Sequence, residues 1–191
     1  IKEATQAILQ FEAQSPSLQE VPLEGLDLLF EDFEGSTWGT WTTTGTAFGS
    51  APVDRAGVPG YHPIQAWRGE KFVCTSRTSH GEDGNVIDAQ VGRLRSPTFV
   101  IRHDYLHFLA CGGNHKDKTA INLVVGDRVV RTSTGANTAH FRPVLFDISE
   151  WRGEKAHIEV IDEWGPGWGN IAVDQFVFSD GMSTTEVLPA P

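Results

Sequence analysis

Two kinds of chemistry are written into this 191-residue chain, and both converge on residues 164–178. The first is cation binding. Asp174 lies in the strand-like stretch Ile171-Ala172-Val173-Asp174-Gln175-Phe176-Val177-Phe178, where apolar residues occupy most of both faces. Strict alternation puts Ala172, Asp174, Phe176 and Phe178 together. A carboxylate among phenylalanines needs a partner, because an isolated buried charge is very costly. Asp32 and Glu34, in the first strand candidate, share a face with Leu28 and Phe30. The first and last strands of a sandwich often lie side by side, so Asp32, Glu34 and Asp174 are expected to meet. Carboxylates in close company repel unless a cation or protons intervene. Hard oxygen donors suit a structural Ca2+. The competing reading is that each caps a turn or accepts backbone N–H groups.

The second kind is recognition of a polar, hydroxyl-rich ligand. The loop Trp164-Gly165-Pro166-Gly167-Trp168-Gly169-Asn170 is too rich in glycine to bury two indoles easily. A tryptophan face with nearby amides and a guanidinium fork suits a sugar, which presents apolar C–H faces and many hydroxyls. The expected ligand residues are Trp168, Asn170, Arg131, Asn114, His115 and Asp162. Trp164 is expected to fold back over the end of the sandwich. Arg131 has an alternative use in a salt bridge to Asp162, and the polar run at Asn114 and His115 an alternative as a solvated turn. The composite site requires the 112–118 and 165–170 loops to share one end of the fold.

These residues must be held by strands. Glycine (20) and proline (10) are frequent and helical periodicity is scarce, which is the composition of an all-β domain. Lys155 to Asp162 alternates cleanly, with Ala156, Ile158, Val160 and Asp162 on one face. Ile121–Val125 and Arg128–Thr132 flank Gly126-Asp127, a two-residue hairpin signal. Further strands are expected at Leu28–Glu34, Thr40–Phe48, Lys71–Ser76, Val91–Leu94, Thr98–Arg102, Tyr105–Cys111 and Val144–Ile148. Loops are expected at 49–64, 80–85 and 133–140. About ten short strands separated by turns make a two-sheet antiparallel β-sandwich, a jelly roll.

Residues 1–26 read as an amphipathic helix (1–14) and linker from a preceding region, 27–180 as the sandwich module, and 181–191 as an exit linker. The chain does not begin with Met, and it reads as an excised piece of a longer protein. The net charge of −10 argues against nucleic acid and anionic membrane. No apolar run approaches the ~20 residues of a membrane span. Cys74 and Cys111 are open to either one disulfide or two buried thiols. Asp162 and Glu163 are neighbours in a strand and point to opposite faces, so they cannot converge as the acid and base of a glycosidase. No serine is framed as a nucleophile.

The runs Asp32-Phe33-Glu34-Gly35, Trp38-Gly39-Thr40-Trp41, Gly45-Thr46-Ala47-Phe48-Gly49, Gly112-Gly113-Asn114-His115, Ile121-Asn122-Leu123-Val124-Val125-Gly126, Val129-Val130-Arg131-Thr132 and Gly167-Trp168-Gly169-Asn170-Ile171-Ala172-Val173-Asp174-Gln175-Phe176 carry a resemblance. Over roughly residues 30–180 the chain resembles the concanavalin-like β-sandwich modules attached to bacterial family 32 glycoside hydrolases. It is similar to carbohydrate-binding module family 66, and to modules of large bacterial surface proteins. The resemblance implies a non-catalytic sugar-binding domain of a secreted or surface protein, with a structural calcium between the first and last strands. Its partners would be a polysaccharide or oligosaccharide, fructan-like in the first instance, and other domains of the parent chain. The chain departs from the family pattern at Glu163-Trp164-Gly165-Pro166-Gly167, where a shorter glycine-rich stretch is usual. The alternatives from other classes are a protein-interaction or spacer sandwich without a sugar site, and an enzyme domain acting on glycans.

Overall fold

The computed structural model describes residues 27–182. The helix expected over 1–14, the linker to residue 26 and most of the exit segment lie outside the described residues. Among the described residues twelve strands form two antiparallel sheets of six. In chain order they are β1 (Leu28–Glu31), β2 (Thr42–Gly45), β3 (Val53–Asp54), β4 (Lys71–Cys74), β5 (Gly92–Arg95), β6 (Phe99–Val100), β7 (Tyr105–Gly112), β8 (Thr119–Val125), β9 (Arg128–Ser133), β10 (Thr138–Asp147), β11 (Lys155–Asp162) and β12 (Ile171–Ser179). One sheet runs β10-β7-β12-β4-β3, with β1 also paired to β12. The other runs β2-β5-β11-β8-β9, with β6 also paired to β11. Among the described residues the one α-helix is short, α1 (Gly84–Asp88), between β4 and β5.

The main core fills the space between the sheets. Ile121, Leu123, Ile158 and Val160 from one sheet meet Leu106, Phe108, Val173 and Phe176 from the other, all buried. A second, smaller cluster covers the outer face of the first sheet. There Val53, Val58 and Ile64 from the 49–64 segment pack on Phe72, Cys74, Cys111 and Ala172. The long loop is thus a lid with its own apolar payload, and it contains β3 and a 3-10 turn capped by Asp54.

β1 pairs antiparallel with β12, Leu28 opposite Phe178 and Leu29 opposite Val177. First and last strands are neighbours, as the sandwich argument requires. The alternation expected along β12 does not survive its middle. The register against β7 shifts between Asp174 and Val177, and Gln175 takes a positive φ of 54°. This bulge turns Ile171, Val173, Phe176 and Phe178 into the inter-sheet core and leaves Ala172 in the outer cluster. Asp174 therefore does not share a face with the phenylalanines. The bulge falls where β12 changes partner, from β4 at Ala172 and Val173 to β1 at Phe176.

Two other departures have local causes. The stretch 133–140 is not all loop, because β10 begins at Thr138, and Pro143 sits inside the strand opposite Leu109. β10 is the edge of its sheet, so the N–H that proline lacks costs the ladder nothing. The segment expected to be a loop around 80–85 ends in α1, whose N-cap Asp83 accepts the Asn85 N–H at 2.9 Å. The cysteines are both free and buried. Cys74 in β4 and Cys111 in β7 each stand opposite Ala172 of β12. Two strand spacings, about 9.5 Å, separate them, too far for a disulfide.

Candidate functional site

The 112–118 and 163–170 loops share one end of the sandwich. The end of β11 and the start of β12 lie there, beside the β7–β8 connection. The Gly113 N–H donates to Asn170 O at 2.8 Å, and the Glu163 N–H donates to Lys118 O at 2.7 Å. The His115 ring stacks on Trp164, centroids 4.5 Å apart and planes at 24°. The approach is close enough to demand glycine at 113, where a Cβ would stand 2.2 Å from Trp168 O.

The two tryptophans part company. Trp164 is half-buried under His115 and covers the end of the sandwich, as expected from the loop. Trp168 is 39% exposed and has φ 62°, a left-handed conformation that costs a non-glycine residue ~1–2 kcal/mol. Its neighbours Gly169 and Asn170 are buried. The backbone strain therefore holds an indole out at the tip of an anchored loop. Beside it, His62 meets Trp168 edge to face at 6.5 Å, and Tyr61 is 57% exposed. His62 is itself buried, and that desolvation, helped by the Arg55 charge, lowers its pKa, so the ring is neutral near pH 7. Its Nε2 has no hydrogen-bond partner.

Under the loop lie Asp162 and Asn170. Asp162 continues the Ala156–Ile158–Val160 face to the end of the inter-sheet core and is fully buried. Burial pushes its carboxyl up to about 8, with the Asp88 charge adding to the rise. Thr75 Oγ1 and the Trp164 N–H lie close enough to favour the charged form. Neither makes a hydrogen bond of normal geometry with it, and both carboxyl oxygens are without partner. The Thr75 hydroxyl is instead engaged with Ile171, accepting from its N–H at 2.9 Å. Asn170 is buried and its Oδ1 is also unpartnered. Asp88, delivered by α1, faces the Gly169 N–H and the Asn170 side chain. Glu163 is not free in solvent, since it bonds Arg93 at 2.6 Å from the opposite face. That confirms the divergence of the Asp162 and Glu163 side chains.

Two of the expected ligand residues do not join this end in the way foreseen. Arg131 donates from Nε to Asp147 O at 2.8 Å and lies 4.3 Å over the Trp151 ring. Arg131 stands opposite Leu123, two strand positions from the β8–β9 turn, and its fork is spent on Trp151 and backbone carbonyls. It makes no salt bridge to Asp162. Asn114 is exposed near the site, but its Oδ1 accepts the Thr134 hydroxyl at 2.7 Å. Trp168, His115, Asn170 and Asp162 are the residues that the fold gathers. Sequence reasoning missed Tyr61, His62 and Asp88, which arrive from the 49–64 segment and from α1. An aromatic pair inside the proline-rich run Val58-Pro59-Gly60-Tyr61-His62-Pro63 was the available signal.

The three carboxylates at the β1–β12 junction form a separate group. Asp174 is fully buried, and its pKa is raised to about 8 by desolvation, with the Glu34 and Asp32 charges adding to the rise. Its oxygens accept N–H groups from Arg68 and Gln175, each at 2.8 Å. Glu34 Oε1 accepts from Glu70 N at 2.9 Å and Lys71 N at 3.2 Å, and Asp32 Oδ1 accepts from Glu34 N at 3.1 Å. Gly69 is fitted to this group: its φ is +60°, and a Cβ there would collide with the Glu34 carboxylate. Every carboxylate thus has a backbone donor, which matches the turn-capping reading. Among the described residues no three His, Cys, Asp or Glu side chains are gathered into a metal-holding group.

Comparison with known proteins bears on the fold. No family model matches the chain. Over 180 residues it is 33% identical to "Putative glycosyl hydrolase ecdE" of Aspergillus rugulosus; the match takes in 93% of this chain and 24% of that protein, so the chain spans about a quarter of the relative's length. The K2 adhesin domain of Lys-gingipain superposes with a TM-score of 0.51 at 17% identity, covering 81% of this chain and 99% of that domain. TmCBM61, solved with β-1,4-galactotriose, gives 0.46 at 13% identity, covering 83% and 97%. A family 35 carbohydrate-binding module from Clostridium thermocellum gives 0.41 at 10%, covering 81% and 98%. The likeness is one of fold. The solved neighbours are β-sandwich adhesin domains and carbohydrate-binding modules. No helix among the described residues is long and apolar enough to cross a membrane.

Proposed function

We propose that this domain is a non-catalytic glycan-binding module of a larger secreted or surface protein. The observation that carries the reading is Trp168, an exposed indole on a strained backbone at the sandwich end, with the His62 ring edge to face beside it. A sugar ring would lie on the indole, and His115 and backbone groups of the loop would meet its hydroxyls. The neighbouring sandwich modules named above and the hydrolase-like relative, of which this chain corresponds to one quarter, support a sugar as partner. A fructan-like polysaccharide is the first ligand to try, on the resemblance to modules of family 32 glycoside hydrolases. An enzyme reading is disfavoured by the placement of the two acidic groups with raised pKa at this end: Asp162 is buried out of reach of a glycosidic bond, and Asp88 is engaged with the Gly169 N–H and the Asn170 side chain.

The reading includes a structural calcium at Asp32, Glu34 and Asp174. It would tie the last strand to the first and hold the recognition loop, which leads into the same strand. A chelator that leaves the melting temperature unchanged would refute this part.

The sugar site is tested by affinity electrophoresis against a panel of polysaccharides including levan and inulin. Trp168→Ala is expected to weaken retention by roughly 5- to 150-fold, from the ~1–3 kcal/mol that a stacked aromatic contributes at such a surface. Its melting temperature should change little, because the indole is exposed and alanine keeps the Cβ and with it the same backbone conformation. Retention unchanged in Trp168→Ala would rule out this end as the site. No retention of any polysaccharide by the wild type would favour the spacer or protein-interaction reading.

A further inference from the structure

The buried polar groups beneath the recognition loop have no explanation in sugar binding. Asp162 is fully buried and Asn170 is 4% exposed, so no hydroxyl of an external ligand reaches them without opening the loop. Both oxygens of Asp162 and Oδ1 of Asn170 lack hydrogen-bond partners. Asp88 stands close enough for its charge to act on Asp162, and the other groups acting on Asp162, Thr75 and the Trp164 N–H, are neutral. Asp88 already receives the Gly169 N–H and the Asn170 side chain, so what is left without a donor is the Asp162 carboxyl and the Asn170 Oδ1, with no cationic side chain acting on Asp162. Buried acceptors are normally satisfied, and an unsatisfied buried carboxylate is among the most costly arrangements in a protein.

The loop brings more oxygen to the same place. Around Gly169 the chain folds so tightly that a Cβ there would lie 2.2 Å from Trp164 O and 2.8 Å from both Asp88 O and Pro166 O. Three carbonyl oxygens thus crowd to one side of the residue that precedes Asn170 and follows Trp168. Carboxylate, amide and carbonyl oxygens, without nitrogen or sulfur, are the ligand set of a hard cation that takes many donors at flexible angles.

We propose that Asp162, Asp88 and Asn170, with carbonyl oxygens of the 164–169 loop, form a calcium site beneath the recognition loop, distinct from the Asp32–Glu34–Asp174 group at the β1–β12 junction. The cation neutralises the two carboxylates and closes the loop on the end of the sandwich. The backbone strain at Trp168 is held in place by the loop that the cation anchors. The site does not depend on the sugar reading, and its ligand is the metal alone.

The test uses the whole chain, freed of metal with chelator, titrated with Ca2+ by calorimetry and with Tb3+ by luminescence excited through tryptophan. Trp164 adjoins the proposed site, so bound Tb3+ there should be strongly sensitised. Asp162→Asn is expected to take up one equivalent of Ca2+ fewer than the wild type and to lose the sensitised emission. Asp174→Asn should leave that emission in place. Asp88→Asn, on a half-exposed side chain where folding is not at risk, should weaken Tb3+ binding at least tenfold. Wild-type uptake unaltered by Asp162→Asn and Asp88→Asn would overturn the proposal. So would a wild type that binds no Ca2+, in which case Asp162 is held neutral by a proton. Glycan retention by Trp168→Ala and wild type is measured separately, so failure of the sugar reading leaves this result standing.

Discussion

In calcium-free buffer the protein loses stability as the pH rises from 6.5 to 8. Asp162 and Asp174 have folded-state pKa values raised from 3.8 to about 8 by burial. In this range the folded state holds protons that the unfolded chain has released. Unfolding then sets protons free, and stability falls with rising pH by at most about 1.4 kcal/mol per pH unit for each carboxyl. Both groups are fully buried, so solvent screening does not soften the effect. Below 6.5 the histidines oppose it. His62, His80 and His157 have pKa values lowered from 6.5, chiefly by desolvation. They therefore add stability as the pH climbs to 6.5 and nothing further above it. The window from 6.5 to 8 belongs to the carboxyls, and the stability maximum should lie near its lower edge. Saturating calcium should flatten the slope, because a cation binds the charged forms and competes with the protons. Urea titrations at a series of pH values, with chelator and with calcium, measure both curves. A chelator curve that is flat or rising over this window would show that neither carboxyl is held as its burial requires. Asp174→Asn should remove about half of the slope.

The strands that were legible each had a simple signal; β3, inside the 49–64 segment, and the start of β10 had none. β11 follows its alternation from Lys155 to Asp162 without interruption. The β8–β9 hairpin turns at Gly126-Asp127, with Val125 opposite Arg128 and a φ of 59° at the glycine. Alternation failed where a single extra residue intervened. The bulge at Gln175 inverted the faces of β12, and nothing in Val173-Asp174-Gln175-Phe176 announces a positive φ at glutamine. Strand order was read correctly, with β1 beside β12, and the Glu34 and Asp32 charges act on Asp174, but among the described residues the three carboxylates are not gathered into a metal-holding group.

The recognition end was legible only in its own loop. Trp168, His115, Asn170 and Asp162 are close in sequence to the strands that carry them, β7, β11 and β12. Tyr61, His62 and Asp88 reach the same place from segments far away in the chain, and proline and glycine content gives a loop no destination. Arg131 was misplaced for the converse reason. A guanidinium in a strand pattern says which face it takes, but not which end its long side chain leans toward. Here the face of Trp151 offered a cation–π partner at 4.3 Å, and the carbonyl of Asp147 took Nε.

Phe176→Ala is expected to cost more stability than any other single truncation on β12. Its ring is fully buried between the sheets. It stacks on Trp41 at 5.8 Å and 21°, and packs against Phe108 at 5.2 Å and Phe33 at 6.0 Å. Deleting such a ring removes its transfer free energy and leaves a cavity, together about 3–5 kcal/mol. The surroundings have little room to collapse. Phe33 is fixed by a φ of 60° and by its N–H bond to Glu31 Oε1 at 3.0 Å. Trp41 is tied through Nε1 to Glu31 Oε2 at 2.9 Å. Since Glu31 is the residue opposite Phe176 in the β1–β12 ladder, the cavity should also loosen the strand that brings Asp32 and Glu34 to Asp174. The variant should therefore show a lower urea midpoint together with a weaker stabilising response to calcium. Leu145→Ala, on a 41% exposed side chain of the edge strand, is the control, with a change below about 1 kcal/mol. A loss in Phe176→Ala no larger than in this control would mean that the ring cluster is not the keystone of the inter-sheet core. A large loss with the calcium response intact would instead separate the core from the carboxylate junction, and place the anchoring of β1 in its hydrogen bonds alone.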